Sequence, residues 1–334
     1  MRILVTGGAG YIGSHTCVEL LQRGHEVVVY DNFRNARRQS LDGIAAITGK
    51  RPKLVEADIR ATATLEHVLR EHRIGAVIHF AALKAVGESQ EDPLAYFDNN
   101  IGGTISLLKA MQAAGVRYLV FSSSATVYGD TEAQPIREDA PLASHNPYGR
   151  TKLVCEQLIG DVAAAGESLV PAILRYFNPA GAHGSGLIGE YPLGVPNNLL
   201  PYIAQTAAGL HPHVRVFGND YPTRDGTGVR DYIHVTDLAI AHVSALEYLV
   251  ANDCALTVNL GTGHGYSVLE AIETFRKVSG RPIPARIHPR RPGDVAMYCA
   301  APDLARELLG WEAKADLEQM CVDAWRWQQN LAQG

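Results

Sequence analysis

The chain has 334 residues, 46% hydrophobic and 19% charged, with a formal net charge of -5, which describes an ordinary soluble globular protein with room for one large or two modest domains. The mild acidity gives no support for a nucleic-acid or anionic-membrane partner, since either calls for a basic surface, and no apolar run reaches the 18 or so residues a bilayer span needs. Five widely spaced cysteines without a C-x-x-C pair, Cys17, Cys155, Cys254, Cys299 and Cys321, point to free thiols in a reducing compartment, with the cytoplasm fitting best.

The sequence opens on a β-branched strand, residues 2 to 6, with no apolar leader pattern before it. Gly7-Gly8-Ala9-Gly10-Tyr11-Ile12-Gly13 then leads into a helix ending near Arg23-Gly24. Glycines at 7, 10 and 13 let such a turn tighten, let the backbone approach a pyrophosphate and let the helix pack on the strand. A second strand, Glu26 to Tyr30, ends on Asp31, 18 residues past Gly13, near the spacing at which an acid hydrogen-bonds an adenosine ribose. Asp31 repels a 2′-phosphate, so NAD is favoured over NADP, although Arg34, Arg37 and Arg38 lie close by.

Strand Lys53 to Ala57 ends on Asp58-Ile59, a helix covers about 62 to 73, and strand Ala76 to Phe80 runs into Ala81-Ala82-Leu83-Lys84. Near-continuous apolar strands alternating with helices indicate an α/β fold with a doubly wound parallel sheet. Ligands bind at the carboxyl ends of such strands, which places Asp58 and Ile59 at an adenine and Phe80 to Lys84 at a nicotinamide. His79, inside an apolar strand, reads as a packed core residue. A long helix from about Pro93 to Ala114 carries Asn99 and Asn100, and its broad apolar set (Leu94, Phe97, Ile101, Ile105, Leu108, Met111) suggests a second contact such as a dimer. Strand Tyr118 to Phe121 delivers Ser122-Ser123-Ser124.

Tyr148-Gly149-Arg150-Thr151-Lys152 puts a phenol and an ammonium on one face of the next helix. A tyrosine with a pKa of about 10 serves as a base at neutral pH only if its anion is stabilised by roughly 4 kcal/mol. A cation about 5 Å away supplies roughly 3 kcal/mol of that, and an oxidised nicotinamide completes it. Ser124, on the strand preceding this helix, is placed to bond a substrate oxygen beside the phenol.

Thr6-Gly7-Gly8-Ala9-Gly10-Tyr11-Ile12-Gly13, Ser124 and Tyr148-x-x-x-Lys152 resemble the extended short-chain dehydrogenase/reductase family. The finer resemblance is to its UDP-glucose 4-epimerase (UDP-galactose 4-epimerase) members. It is carried by Lys84 to Ser89, Ser122 to Gly129, Arg175 to Pro179, Pro196 to Leu199, Phe217 to Tyr221 and above all Gly226 to Asp237. It implies a Rossmann domain over 1–177, rejoined by about 230–260, and a smaller mixed α/β UDP-sugar domain over 178–229 and 261–334. It also implies a homodimer that uses NAD to interconvert UDP-galactose and UDP-glucose through a 4-keto intermediate.

By the same resemblance the cofactor contacts are Gly7, Gly10, Tyr11, Ile12 and Gly13; Asp31, Asn32 and Asn35; Asp58 and Ile59; Phe80, Ala81, Ala82 and Lys84. Asn99, Ser122, Tyr148, Lys152, Tyr176 and Phe177 complete that set. The substrate contacts are Lys84, Ser124 and Tyr148, then Asn178, Asn198, Leu199, Phe217, Arg230, Tyr232, Arg291, Asp294 and Tyr298. A bulky Tyr298 is associated with a pocket too narrow for N-acetylhexosamines. Asn197 and Asn198 open a helix whose amides can face a phosphate, or they are simple caps. His211 and His213 read as surface residues rather than metal ligands, and Trp311, Trp325 and Trp327 as terminal-helix packing. The nearest rival, a nucleotide-sugar 4,6-dehydratase, carries Asp-Glu after the serine, where this chain has Ala125-Thr126.

Overall fold

The computed structural model describes residues 1–131, 133–166, 169–291 and 294–332. Strands β1 (Arg2–Thr6), β2 (Glu26–Asp31), β3 (Lys53–Glu56), β4 (Ala76–His79), β5 (Tyr118–Ser124) and β6 (Val170–Tyr176) lie parallel in one sheet with the late strand Leu256–Leu260. From edge to edge the order is Leu256–Leu260, β6, β5, β4, β1, β2, β3. Alternate residues face opposite sides. Ile3 and Val5 join a core with helices Tyr11–Gln22 and Val235–Asn252, whereas Leu4 packs with helices Thr62–Glu71, Gly103–Ala114 and Pro147–Ala164. The winding reverses at β1, between β2 and β4, and the carboxyl ends there open the crevice where ligands bind.

A second lobe holds a four-stranded sheet of Asn178–Ala180, Val229–His234, Gly265–Ser267 and Met297–Tyr298. Val214–Phe217 pairs in parallel with Ala285–His288 beside it. Helices Leu199–Ala207, Val268–Ser279 and Leu317–Leu331 pack around a separate core that includes Ile203, Phe275 and Met320. Among the described residues the chain passes between the lobes five times: after Tyr176, after His234, after Leu260, between Tyr298 and Asp303, and between Trp311 and Leu317.

One expected element is corrected. Residues 93–114 do not form a uniform α-helix: Pro93–Tyr96 and Gly103–Ala114 flank a π-helical turn, Phe97–Gly102. Such turns insert an extra residue and re-aim side chains. Here the turn carries Asn99 and Asn100, both buried. Asn100 accepts from Leu83 N at 2.8 Å and donates to Leu83 O and Thr151 Oγ1 at 3.0 Å, joining the end of β4 to the helix that bears Tyr148. On the outer side Leu94 is 80% exposed, with Phe97 and Ile105 also uncovered.

His79 packs as expected. Its Nδ1 lies 2.7 Å from Thr6 Oγ1 and its Nε2 3.2 Å from Thr104 Oγ1, and burial pushes its pKa down to about 3. Burial likewise lowers His15 to about 3 and His242 to about 4. Each stays neutral when folded and takes up a proton on unfolding, so below their ordinary value of 6.5 the unfolded chain binds more protons and stability falls with pH. From pH 6.5 to 5 each contributes a loss of up to about 1.4 kcal/mol per pH unit. Calorimetry across that window is expected to show a steadily falling melting temperature, and a flat profile would contradict neutral burial of the three rings.

Candidate active site

The carboxyl ends of the parallel strands and the inner side of the second lobe enclose a cavity of about 1310 Å³. Its first half begins at the glycine turn. Gly7 has φ +69°, and a Cβ there would lie 2.8 Å from Ala81 N, while one at Gly13 would lie 2.3 Å from Gly7 O. Helix Tyr11–Gln22 starts at Gly10 with no side-chain cap and no acid in its first turn, leaving its leading N–H groups for an anion. The pyrophosphate of NAD fits such a turn.

Asp31 is buried and accepts from Ala9 N at 3.0 Å and Phe33 N at 2.8 Å. It ties the glycine turn to β2, and burial raises its carboxyl above the ordinary value. Each oxygen keeps a further lone pair for a ribose hydroxyl. Two of the three nearby arginines have partners of their own. Arg38 pairs with Glu56 and lies over the Phe33 ring, and Arg37 lies 3.9 Å over the Tyr191 ring.

Tyr11, Ile12, Asn32, Asn35, Ile59 and Asn99 line the same half, as do Phe80, Ala81, Ala82, Ser122, Tyr176 and Phe177. Asp58 does not. Its carboxylate accepts two bonds from the Arg60 guanidinium, at 2.8 and 2.9 Å, and one from Asn32 Nδ2 at 3.2 Å. Arg60 holds it well below the usual carboxylate range. Its neighbours Ala57 and Ile59 face the cavity.

Tyr148, Ser124 and Lys152 meet at the cavity floor. Pro147 at the helix start and the Asn146 side chain, accepting from Gly149 N at 2.8 Å, fix this helix so that Tyr148 and Lys152 both point inward. The phenol bonds Ser124, which lowers its pKa, but burial dominates and pushes it up to about 12. Lys152 Nζ donates to Ser122 O at 2.6 Å, and burial lowers its pKa to about 8. The lysine is therefore turned toward the β5 backbone, and the chain alone holds Tyr148 protonated. The Tyr176 hydroxyl hydrogen-bonds Ser122 Oγ beside them.

In the second half, helix Leu199–Ala207 starts at Asn198, again with no side-chain cap. The Asn198 amide instead donates to both Glu190 oxygens, at 2.8 and 3.0 Å, so simple capping is not its role. Lys84 Nζ meets the same carboxylate at 2.9 Å. Arg230 is braced by the Val229 and Val295 carbonyls, both at 2.9 Å, and lies 3.5 Å from Asp294. The Arg291 guanidinium lies 3.9 Å over the Phe217 ring. Asn178, Leu199, Tyr232 and Tyr298 complete this wall, and Tyr298 is pinned by donating to Ala125 O at 2.7 Å. Pro292 and Gly293 of the Arg290–Asp294 stretch lie outside the described residues.

A family model described as GDP-mannose 4,6 dehydratase matches residues 4–324. A UDP-glucose 4-epimerase from Bacillus subtilis (strain 168) is 57% identical, over 100% of this chain and 98% of its own. The chain belongs to the UDP-glucose 4-epimerase family. A crystal structure of such an epimerase from Stenotrophomonas maltophila, with bound NAD and formylated UDP-arabinopyranose, superimposes with a TM-score of 0.98 at 58% identity, covering 100% of this chain and 99% of that one. The epimerase from Bifidobacterium longum, in complex with NAD+ and UDP, gives 0.95 at 48% identity over 99% and 98%.

Sequence reasoning missed Glu190, which joins Lys84 of the first lobe to Asn198 of the second. It stands in a loop with no periodicity to mark it. The other residues set aside make local contacts. His211 bonds Gln205 and stacks on Tyr202, while His213 stacks on His288. Trp311 Nε1 donates to Asp237 O, Trp327 Nε1 donates to Glu190 O, and Trp325 packs edge-on against Phe275. Among the described residues no group of three His, Cys, Asp or Glu side chains is placed to hold a metal ion, and no helix is long and apolar enough to cross a membrane.

Proposed function

We propose that the protein interconverts UDP-galactose and UDP-glucose, with Tyr148 as the proton carrier. The observation that carries this reading is the convergence of the Tyr148 phenol, Ser124 and Lys152 between two uncapped helix N-termini in one cavity. One terminus suits the NAD pyrophosphate and the other the UDP diphosphate. NAD, when bound, takes a hydride from the sugar C4 and returns it. Tyr148 as phenolate takes the C4 hydroxyl proton and returns it to the same oxygen when the hydride comes back to C4 on the opposite face. Ser124 steadies the oxygen as charge develops. Lys152 holds the ribose hydroxyls and adds positive charge near the phenol.

Gly7, Gly10, Gly13 and Asp31 seat the dinucleotide, and Asn198, Leu199, Phe217, Arg230, Tyr232, Arg291 and Asp294 seat the UDP. Strong nucleotide contacts leave the hexose free to turn. The pinned Tyr298 ring narrows the hexose end, so N-acetylhexosamine substrates are expected to be poor. The uncovered Leu94, Phe97 and Ile105 favour a homodimer through this helix face, and four buried free thiols suit the cytoplasm.

Proton NMR of UDP-galactose incubated with the purified protein and NAD tests the reading. New UDP-glucose anomeric signals are expected, with much slower conversion of UDP-N-acetylgalactosamine. A 6-deoxy-4-keto product, or no product, would overturn it. The dehydratase alternative has little support, because Ser124 is followed by Ala125-Thr126 and no acid stands there to expel a C6 hydroxyl.

A further inference from the structure

Strand Val214–Phe217 buries Val214 and Val216 and turns Arg215 and Phe217 to the other face. Arg215 lines the cavity with its guanidinium 5.4 Å from the Tyr202 ring centre and 5.8 Å from that of Phe217. Phe217 also carries the Arg291 guanidinium. Arg215, Arg230 and Arg291 are close enough that the other two both lower the Arg291 pKa electrostatically, against the pull of Asp294. Among the described residues no carboxylate pairs with Arg215, whereas Arg230 meets Asp294. The two expected cations and this one acid together leave a single positive charge, while the diphosphate of a nucleotide sugar carries two negative ones.

We propose that Arg215 is the third cation of the nucleotide-diphosphate subsite, held ready by Tyr202 and Phe217 and matching the second phosphate charge. The inference rests on the UDP-sugar reading above and adds to it a residue that neither the glycine and tyrosine motifs nor the family resemblance marks. Ring contacts hold an arginine without neutralising it, so the charge stays available to a ligand. Because the side chain is exposed on a strand whose core residues are Val214 and Val216, its replacement leaves the fold intact.

The test is isothermal titration of UDP and of uridine into the NAD-loaded wild-type protein, Arg215→Gln and Arg215→Lys. Arg215→Gln is expected to weaken UDP about tenfold, near 1.4 kcal/mol, and uridine less than twofold. Raising salt from low to physiological strength should weaken UDP binding less in this variant than in wild type, and Arg215→Lys should recover most of the lost affinity. Equal losses for UDP and uridine would assign Arg215 to the base or its platform and overturn the proposal, as would unchanged UDP affinity. Failure of the wild-type protein itself to bind UDP would instead bring down the nucleotide reading on which the proposal stands.

Discussion

Tyr148→Phe is expected to lower turnover at least a thousandfold, at the upper part of the 10²–10⁴ range for a positioned acid-base group, while UDP affinity stays within about twofold of wild type. The ring is buried and its hydroxyl bonds Ser124, so the variant removes one oxygen and leaves the packing intact. Stopped-flow or NMR turnover combined with UDP titration reads both quantities. Full activity in the variant would sink the assignment. The pH profile gives an independent check. Burial pushes the phenol to about 12 in the chain alone, and the rate must rise with pH as the base loses its proton. Positive charge brought by the cofactor moves this limb to lower pH. Residual activity in Tyr148→Phe is expected to lack the limb.

The second large effect lies one helical turn beyond Lys152. Glu156 and Arg175 form a buried ion pair, 4% and 8% exposed, with Arg175 Nη2 at 2.7 Å from Glu156 Oε2. Arg175 Nε bridges both carboxylate oxygens at 3.1 Å, Ser123 donates to the same carboxylate, and Arg175 Nη1 donates to Tyr128 OH and Glu138 O. Glu156→Ala strands a buried guanidinium and is expected to destabilise the fold by about 3–5 kcal/mol, measured as a lowered urea midpoint. Replacing both partners, as in Glu156→Leu with Arg175→Met, should recover much of the loss because no charge is then left unpaired. A midpoint shift under about 1 kcal/mol for Glu156→Ala would show that the network is hydrated and not a sealed pair.

These residues also show what the sequence discloses. The glycine turn, the apolar strands and the Tyr148/Lys152 spacing were legible because local backbone demands and fixed periodicities reveal them. The Asp58–Arg60 pair was not legible, because an acid at a strand end looks the same whether it stands free or meets an arginine two residues on. The π-turn escaped detection because one extra residue in a helix barely disturbs an apolar pattern. Glu190 and Arg215 lie in the second lobe, where loops and short strands carry isolated polar residues, and only tertiary placement brings them to the cavity wall. Lys152 was found, but its bond to Ser122 O was not: orientation depends on neighbours that sequence spacing does not specify.

The five passages of the chain between the lobes have a mechanical meaning. A cleft bounded by lobes on one linker can pivot, and a bound sugar could be presented to chemistry by swinging one half of the protein about the other. Five covalent struts at different points along the seam resist rotation about any single axis. The walls are thereby braced against each other, and the inversion of a sugar centre, which requires something to turn through a large angle, falls to the small keto hexose and its bonds to the diphosphate. The protein acts as a fixed frame around a moving ligand.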